Sequence, residues 1–490
     1  MKATNYYFFQ KKEFLIIIIG IILSLILAIK NLENFDKIEN NSTGKPKHPM
    51  ITSDMNHVWK LAEQLRSDLS EGKSFHQALP IYDRAFLQPI LVGLYYHILD
   101  EKIYENNEEQ ELVIRIQNFK LGILIIQIFI FYFAVYFFIT QFSKRFNVDN
   151  KNYNKVIILI FLCYEPTILQ WHSSFWSESL FLSMIIVIFG CVITPSKNNF
   201  LTFFSGILMG LMYAQKAYSI FYIFLFIIFF LLVYGKKIFP LLIFVSGFFL
   251  VMFLIGFNHY KKTDTFYIVS SKHQYYSYYN YFAHKIYADR NKISELDAKK
   301  KLDEKEKNWR IKNNVKIDSP IDKTNSLLDK SNYEDVLKNI KYRNKFFLNE
   351  VIQNPTYTLK LYIKKVIVMS ILHPTLVYDG YSFDKGSDLA KKNPKEYFHK
   401  NLKRNFIYSI FIYFFVLKGF IDFILKIYKK KELEIYDKFL ILNLLSILYF
   451  IMIAGVWGQP RYFAPCLINI SFFFSYGVNN ILIKLNKNLK

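Results

Sequence analysis

Five charged residues lie in or beside apolar segments, where their side chains would meet water at a membrane surface. Three are acids, Asp54, Asp83 and Glu178, and two are bases, Lys216 and Arg461. A carboxylate can take the proton of a hydroxyl group while that group attacks an electrophile, which is general base catalysis. An ammonium or a guanidinium group can hold the charge of a phosphate. These residue types therefore predict chemistry between a hydroxyl group and a phosphate-bearing molecule.

Four of the five residues also have a purely structural explanation. Asp54 is suited to cap a helix, and Asp83 to form a surface ion pair. Glu178 would stand in the first turn of a span, where the helix dipole favours a carboxylate. Lys216 would extend from the end of a span toward water. Arg461 differs, because an outward-facing arginine opposes the usual bias of positive charge toward the cytoplasm.

The composition indicates a membrane protein. Apolar residues make up 52% of the chain, yet 21% of residues are charged, as expected where apolar spans alternate with charged loops. We ascribe the net charge of +23 to the codon bias of an AT-rich genome, which enriches lysine, and to basic cytoplasmic loops, and we expect no nucleic-acid partner. The three cysteines have neither the spacing of metal ligands nor an even disulfide count.

Ten apolar segments are candidates for membrane spans, because a hydrocarbon core about 30 Å thick needs about 20 apolar helical residues. With ten spans both termini lie on one side, and the basic loops and tails identify that side as cytoplasmic. The predicted fold is an all-α polytopic membrane protein with about ten transmembrane helices. The candidate spans are Leu15–Ile29, Leu121–Phe142, Val156–Ile168, Trp176–Ile193, Leu201–Gln215, Ser219–Tyr234, Ile238–Phe257, Asn405–Ile427, Phe439–Val456 and Tyr462–Ile483.

The spacing of the spans divides the chain into three parts. Residues 1–257 are predicted to form a membrane module of seven spans, whose first outer loop, residues 30–120, would be catalytic. Residues 258–404 would form an extracytoplasmic region of loops and helices, since they are too many for a simple connector. Residues 405–490 would form a second membrane module of three spans.

Shorter segments are predicted to lie at the outer membrane surface. Val366–Leu372 is apolar but too short to span, so we expect an interfacial or re-entrant segment. His172 is expected at the interface rather than as a metal ligand. An amphipathic helix follows Asp54, with one apolar and one charged face. Its apolar face would comprise Val58, Leu61, Ala62, Leu65 and Leu69, and its charged face Lys60, Glu63, Arg66 and Asp68.

Five short motifs follow one another along nearly the whole chain. They are Ser53-Asp54 with the helix that precedes Gly72, Ser177-Glu178-Ser179-Leu180-Phe181, Gly206-Ile207-Leu208-Met209-Gly210-Leu211 through Gln215-Lys216, Asn354-Pro355-Thr356-Tyr357, and Arg461-Tyr462-Phe463-Ala464-Pro465. In this order they resemble motifs of the GT-C membrane glycosyltransferases, which include protein O-mannosyltransferases and aminoarabinose transferases. Two features depart from the pattern: Lys216-Ala217 replaces the usual Arg-Pro or Lys-Gly, and the first loop lacks the adjacent Asp-Glu pair of the mannosyltransferases.

The resemblance implies transfer of a sugar from a polyprenyl-phosphate donor to an extracytoplasmic acceptor, which would be a glycolipid, a glycan or a protein, with inversion. Asp54 would then be the base, and Lys216 and Arg461 would bind the phosphate. Asp83 and Glu178 would support the base or bind sugar hydroxyls. No cofactor is implied with certainty, and a divalent metal held by carboxylates is an open alternative.

The expected location is a bacterial inner membrane, with the site facing the periplasm or the exterior. Two other classes of protein remain open from the sequence. One is a transporter or flippase of a lipid-linked or anionic substrate, which would carry ionisable residues at mid-membrane depth on broken helices. The other is a non-catalytic membrane scaffold, in which Asp54 would tolerate replacement by asparagine.

Overall fold

The computed structural model describes residues 2–39, 53–79, 87–102, 121–146, 153–173, 178–194, 198–263, 266, 282–315, 330–372, 394–429, 432–457 and 463–488. At some helix ends, including residues 53–57, only the backbone is described. Regular secondary structure in these ranges is entirely helical. The helices are α1 (Lys2–Glu39), α2 (Ser53–Ser70), α3 (Phe75–Ala78), α4 (Leu87–Ile98), α5 (Leu121–Phe146), α6 (Asn154–Tyr164), α7 (Pro166–Ser173), α8 (Glu178–Ile193), α9 (Asn199–Gln215), α10 (Tyr222–Tyr234), α11 (Phe239–Thr263), α12 (His284–Asn291), α13 (Glu295–Lys312), α14 (Lys330–Gln353), α15 (Pro355–Leu372), α16 (Pro394–Lys429), α17 (Ile435–Trp457) and α18 (Ala464–Asn488).

The length and apolar character of the helices identify a multi-pass membrane protein. Five of the described helices are long and apolar enough to cross a membrane, and α6 with α7 adds a sixth if this pair, bent by 50°, is one span. The prediction of an all-α polytopic membrane protein is confirmed, and the count of about ten spans is not confirmed. Helices α8 and α10 are apolar but have 16 and 13 residues, fewer than the roughly 17 that crossing requires. The five spans are Lys12–Lys30, Leu121–Phe146, Phe239–Lys262, Ile435–Ile453 and Ala464–Asn486.

The helix bundle has two ends, and α1 and α18 place their terminal parts at the same one. Glu13 in α1 forms an ion pair with Lys155 at the start of α6. The backbone N–H of Tyr153 donates to Oδ1 of Asn479 in α18 at 2.8 Å. This arrangement agrees with an even number of crossings. The other end, which holds the start of α8 and the end of α9, is called the site end below.

Helices α9 and α11 approach each other closely because glycine lines their contact. A Cβ atom added to Gly206 would lie 2.0 Å from the carbonyl oxygen of Phe244. One added to Gly247 would lie 2.3 Å from the carbonyl oxygen of Phe203. Small residues of this kind let helix backbones pack tightly in membranes. The two helices therefore form one unit, which reaches the site end at the end of α9 and of α11.

The helices before residue 257 and after residue 405 share one hydrophobic core. Phe472 of α18 packs edge-on against Phe138 of α5, with ring centroids 5.6 Å apart. Phe439 of α17 packs in the same way against Phe189 of α8, at 5.5 Å. Edge-to-face aromatic pairs add to the stabilisation that burial provides. The last three helices thus complete the bundle that the earlier helices begin.

Helix α2 is the predicted amphipathic helix, but its apolar face packs on protein. Its residues Ala62 and Leu65 are fully buried and lie against Gly93 of α4, where an added Cβ would be 2.7 Å from the Ala62 carbonyl oxygen. Arg66, which was predicted on the charged face, is only 8% exposed. Its guanidinium folds back on Glu63, with Nε 3.0 Å from Oε2, so the pair shields its own charges.

Helices α12 to α15 form a layer beside the bundle. Glu306 of α13 and Arg343 of α14 form a buried ion pair, with Arg343 Nη2 donating to Oε1 at 2.8 Å. Helix α15 contains the predicted interfacial segment Val366–Leu372 and is not among the candidate spans. It is attached to α17 by the hydroxyl of Tyr362, which donates to the carbonyl oxygen of Ile451 at 3.1 Å.

Candidate functional site

The structure brings together two of the five predicted site residues. Glu178 is the first residue of α8, and Lys216 follows directly after α9. Asp54 belongs to the first turn of α2, and its side chain is outside the described atoms. Asp83 and Arg461 lie outside the described residues.

Glu178 and Lys216 form an ion pair at the site end. The ammonium of Lys216 donates to Oε1 of Glu178 at 2.9 Å. The carboxylate side chain is 3% exposed, and the lysine side chain is 15% exposed. Both positions suit the charges, since the start of a helix favours an anion and the end of a helix favours a cation. The pair is therefore supported by two helix dipoles, and its cation is the more accessible partner.

The backbone at Lys216 is fixed on both sides. Its N–H donates to the Met212 carbonyl oxygen at 2.9 Å, which closes the last turn of α9. Its own carbonyl oxygen accepts a bond from the hydroxyl of Ser219 at 2.9 Å. One residue before Ser219, the carbonyl oxygen of Tyr218 accepts a bond from the hydroxyl of Tyr449 in α17. Lys216 thus extends from a turn that α17 holds in place.

Gln215 attaches the first-loop helices to this turn. It is 1% exposed, and its Oε1 accepts a bond from the backbone N–H of Leu87 at 2.8 Å. Leu87 is the first residue of α4, so its N–H lacks a partner within the helix. The side chain of Gln215 supplies the missing acceptor. The first residue of α4 is therefore hydrogen-bonded to the residue that precedes Lys216.

Lys262, near the end of α11, attaches the same loop a second time. Its ammonium donates to the carbonyl oxygen of Gln77 at 2.9 Å and also to that of Leu79. These carbonyls belong to the short helix α3 and the residue that follows it. Because α9 and α11 are packed as one unit, both attachments come from the same support. The roles of Gln215 and Lys262 were not predicted from the sequence, since a polar residue at the end of an apolar segment does not reveal its partner.

Glu165 is a buried carboxylate whose role was likewise not predicted from the sequence. It lies at the 50° bend between α6 and α7 and is 3% exposed. Its Oε2 accepts a bond from the backbone N–H of Ile168 at 2.8 Å, and its Oε1 accepts one from the hydroxyl of Tyr408 at 2.9 Å. The carboxylate therefore caps α7. The sequence signal was Pro166, because proline is favoured at the first position of a helix.

His172 lies in the core, so the prediction of an interfacial position was wrong. It is fully buried, and its ring stacks on Phe131 with centroids 4.1 Å apart. Its Nε2 is 3.0 Å from Oγ of Ser24, whose hydroxyl donates to the Gly20 carbonyl oxygen. Since the Ser24 proton is used there, Nε2 is the nitrogen that donates. His172 thus joins α1 to α7 as a neutral core residue.

The chemistry open to the site end is the binding of an anion at Lys216, beside a carboxylate. Within the described ranges, no three His, Cys, Asp or Glu side chains are grouped as metal ligands. Glu178, the one described carboxylate of the predicted set, contacts Lys216 instead. Comparisons of the chain with protein-family models, with curated proteins and with solved structures found no significant match.

Proposed function

We propose that this protein is a membrane glycosyltransferase, which moves a sugar from a polyprenyl-phosphate donor to a hydroxyl acceptor on the outer face of the membrane. The observation that carries the proposal is the ion pair of Glu178 and Lys216, which lies at the junction of α8, α9 and the first-loop helices. A cation at this position would meet a lipid phosphate at headgroup depth.

Lys216 would stabilise the charge that the phosphate gains as the sugar leaves. Its ammonium has three donors, so a bond to Glu178 at 2.9 Å is compatible with a bond to a phosphate oxygen. Glu178 would orient the ammonium, because the carboxylate is buried and its helix begins there. Preorganised charge of this kind acts without rearrangement during the reaction. Arg461 would add a planar fork to the same phosphate.

Asp54 would act as the base in this reaction. The acceptor oxygen forms a bond to the anomeric carbon, while the bond from that carbon to the phosphate oxygen breaks. The acceptor proton passes to the Asp54 carboxylate, and the lipid phosphate leaves with the bonding electrons. Attack from the side opposite the phosphate inverts the anomeric centre. Asp83 would support the base or bind the sugar hydroxyls.

The attachments of the first loop support this assignment. Gln215 and Lys262 hold α3 and α4 against the ends of α9 and α11. Helix α2, which carries Asp54, packs against α4 through Ala62 and Gly93. The helix that carries the proposed base and the turn that carries the proposed phosphate ligand therefore share one support. Catalysis by positioned groups requires such a fixed relation.

The test compares surface glycans and glycolipids by mass spectrometry in cells that lack the gene and in cells that carry wild-type or variant copies at equal membrane abundance. We expect one sugar mass to be absent in the deletion strain and with Asp54→Asn, and present with the wild type. Asp68→Asn is the matched control, because Asp68 is on the same helix and contacts Lys73 at 2.7 Å. A normal profile with Asp54→Asn would exclude Asp54 as the base.

A second candidate function is transport of a lipid-linked or anionic substrate, and Glu165 favours it. A buried carboxylate at the bend of a helix pair is the arrangement expected of a transporter. Two assays of the purified protein distinguish the two functions. In the first, protein in nanodiscs is supplied with a polyprenyl-phosphate sugar and an acceptor extract, and in the second, protein in vesicles is supplied with the labelled lipid. Formation of a glycosylated product supports the transferase. Movement of the labelled lipid across a vesicle membrane without product supports the transporter.

A further inference from the structure

Helix α15 has an exposed face that combines an apolar stripe with two lysines. Leu359, Ile363 and Ile367 follow one another at intervals of four residues and are 60%, 48% and 52% exposed. Residues at this interval lie on one side of a helix. Lys360 and Lys364 are exposed and each follows a stripe residue, which places it about 100° further around the helix. The lysines thus flank one edge of the stripe.

The side of α15 next to the stripe holds the helix on the bundle. Tyr362 bonds to the Ile451 carbonyl oxygen of α17, and Met369 is fully buried in the core. Near the end of the helix, the carbonyl oxygen of Ser370 accepts a bond from the hydroxyl of Tyr413 in α16 at 2.8 Å. The stripe itself is exposed, so it points away from these contacts.

The contact with α17 sets the height of α15 relative to the membrane. Ile451 lies in the second half of α17, the part that also contacts Tyr218 through Tyr449. Tyr362, which bonds to Ile451, therefore lies in the half of the bundle nearer the site end. Lysine side chains extend toward the lipid headgroups from such positions, so the lysine edge of the stripe faces the headgroups on that side of the membrane.

We propose that α15 binds the surface of an anionic phospholipid bilayer, with Leu359, Ile363 and Ile367 below the headgroups and Lys360 and Lys364 on their phosphates. Contact with the candidate span of α17 and the lysines along one edge of the stripe favour lipid as the occupant. Basic amphipathic helices that lie in the membrane plane have this division of apolar and charged residues. Each lysine near an anionic surface strengthens association by about fivefold.

The first experiment measures the depth of the stripe. A spin label is attached at Ile363→Cys, and the native cysteines do not compete because Cys163, Cys191 and Cys466 are buried. In nanodiscs that contain phosphatidylglycerol, we expect the label to collide more with oxygen than with a water-soluble nickel chelate. The reverse preference would overturn the proposal. So would a label that neither reagent reaches, since a second copy or another protein would then cover the stripe.

The second experiment measures the preference for anionic lipid. A fluorophore at Ile363→Cys is quenched by nitroxide-labelled phosphatidylglycerol, titrated into phosphatidylcholine nanodiscs. Replacing both lysines, Lys360→Gln with Lys364→Gln, should raise the mole fraction for half quenching by up to about 25-fold, about fivefold for each lysine. The matched control is Lys299→Gln with Lys300→Gln, two exposed lysines of α13, and should have no effect. Equal quenching by labelled phosphatidylcholine would refute the anionic preference.

Discussion

Two buried ion pairs differ in how completely the protein encloses the cation. One joins Glu178 and Lys216 at the site end, and the other joins Glu306 of α13 and Arg343 of α14. Arg343 bonds to both carboxylate oxygens of Glu306, at 2.8 and 3.0 Å, and the side chains are 6% and 3% exposed. Lys216 bonds to one oxygen of Glu178 at 2.9 Å, and the side chains are 15% and 3% exposed. The carboxylates are equally buried, so the difference lies in the cation.

The difference indicates two roles. Arg343 meets the carboxylate with a planar fork, and Asn339 donates a further bond to Oε1 of Glu306 at 3.0 Å. This pair joins α13 to α14. Lysine is instead a compact charge with three donors on a flexible stem. The pair of Glu178 and Lys216 is therefore suited to present a cation to a ligand, while the pair of Glu306 and Arg343 is suited to stability.

Of the substitutions that test this comparison, Arg343→Met is expected to have the largest effect, a loss of thermal stability. The substitution leaves the buried Glu306 carboxylate without the guanidinium group that binds both of its oxygens. Breaking one side of a buried pair costs about 3–5 kcal/mol. We expect the thermal unfolding midpoint of the purified protein in detergent to fall sharply. Protein that is still folded should keep its transfer activity, because Arg343 lies outside the site end.

A double variant sharpens this prediction. Replacing both partners, Glu306→Leu with Arg343→Met, removes the isolated charge and fills the space with apolar atoms. Such replacements are often neutral or stabilising. We expect the double variant to recover most of the midpoint lost by the single one. A double variant as unstable as Arg343→Met would show that the contribution of the pair is not mainly electrostatic.

The next effect concerns activity. Lys216→Met should lower the rate of sugar transfer by about 10²–10³-fold, the range found when one preorganised donor to a developing charge is removed. Lys216→Arg should retain part of the rate, because it keeps the charge. Stability should fall less than with Arg343→Met, since the dipole of α8 still favours the Glu178 carboxylate.

Lys73→Met is the control for Lys216→Met. Lys73 pairs with Asp68 on the first loop at 2.7 Å, and its side chain is 47% exposed. Because exposed pairs contribute well under about 1 kcal/mol, rate and midpoint should both stay near the wild-type values. If Lys216→Met lowered stability as much as Arg343→Met and left the rate of folded protein unchanged, the two pairs would have the same structural role.

The sequence predicted which end of the bundle holds Glu178 and Lys216, because consecutive spans alternate in direction. It could not predict that the two side chains touch, since that depends on how α8 and α9 pack. The hydrogen bond from the Leu87 N–H to Gln215 could not be predicted for another reason. A backbone N–H has no side-chain signature, and every residue type except proline carries one.

The burial of the pair of Glu306 and Arg343 could not be predicted from the pattern of charges. Helix α13 is charged along most of its length, and nothing in its sequence distinguishes Glu306 from the exposed Glu304. The burial of Glu306 follows from the packing of α14 over one side of α13. Similarly, the apolar face of α2 was predicted correctly, but its partner is α4, which the pattern alone could not identify.

A smaller effect tests the support of the site. Gln215→Leu removes the acceptor for the Leu87 N–H at similar side-chain volume. We expect the turnover rate to fall about tenfold with little change in the KM for the donor, because Lys216 is retained while the first-loop helices shift. Amide hydrogen exchange at Leu87 should accelerate. Neither change is expected for the control Gln141→Leu, which removes an acceptor for Thr194 at the opposite end.

The last prediction concerns pH and a third lysine, Lys365 of α15. Burial, with a smaller contribution from Lys285, lowers the pKa of Lys365 to about 7, while Glu295 acts in the opposite direction. Between this value and the usual pKa of about 10.4, the unfolded chain binds more protons than the folded protein. Stability should therefore rise with pH across this window. At lower pH both states are protonated, and the cost of burying the charge is fully present.

Lys365→Met removes this cost, so its unfolding midpoint should be higher than that of the wild type. The difference should be largest at about pH 6 and should shrink as the pH rises from about 7 toward about 10. Lys345→Met, at an exposed position of α14, is the control and should follow the wild-type profile. The ammonium of Lys365 lies 4.4 Å from the centroid of the Phe282 ring. A difference between Lys365→Met and wild type that stays constant with pH would mean that Lys365 affects stability through packing of its side chain on this ring and not through its charge.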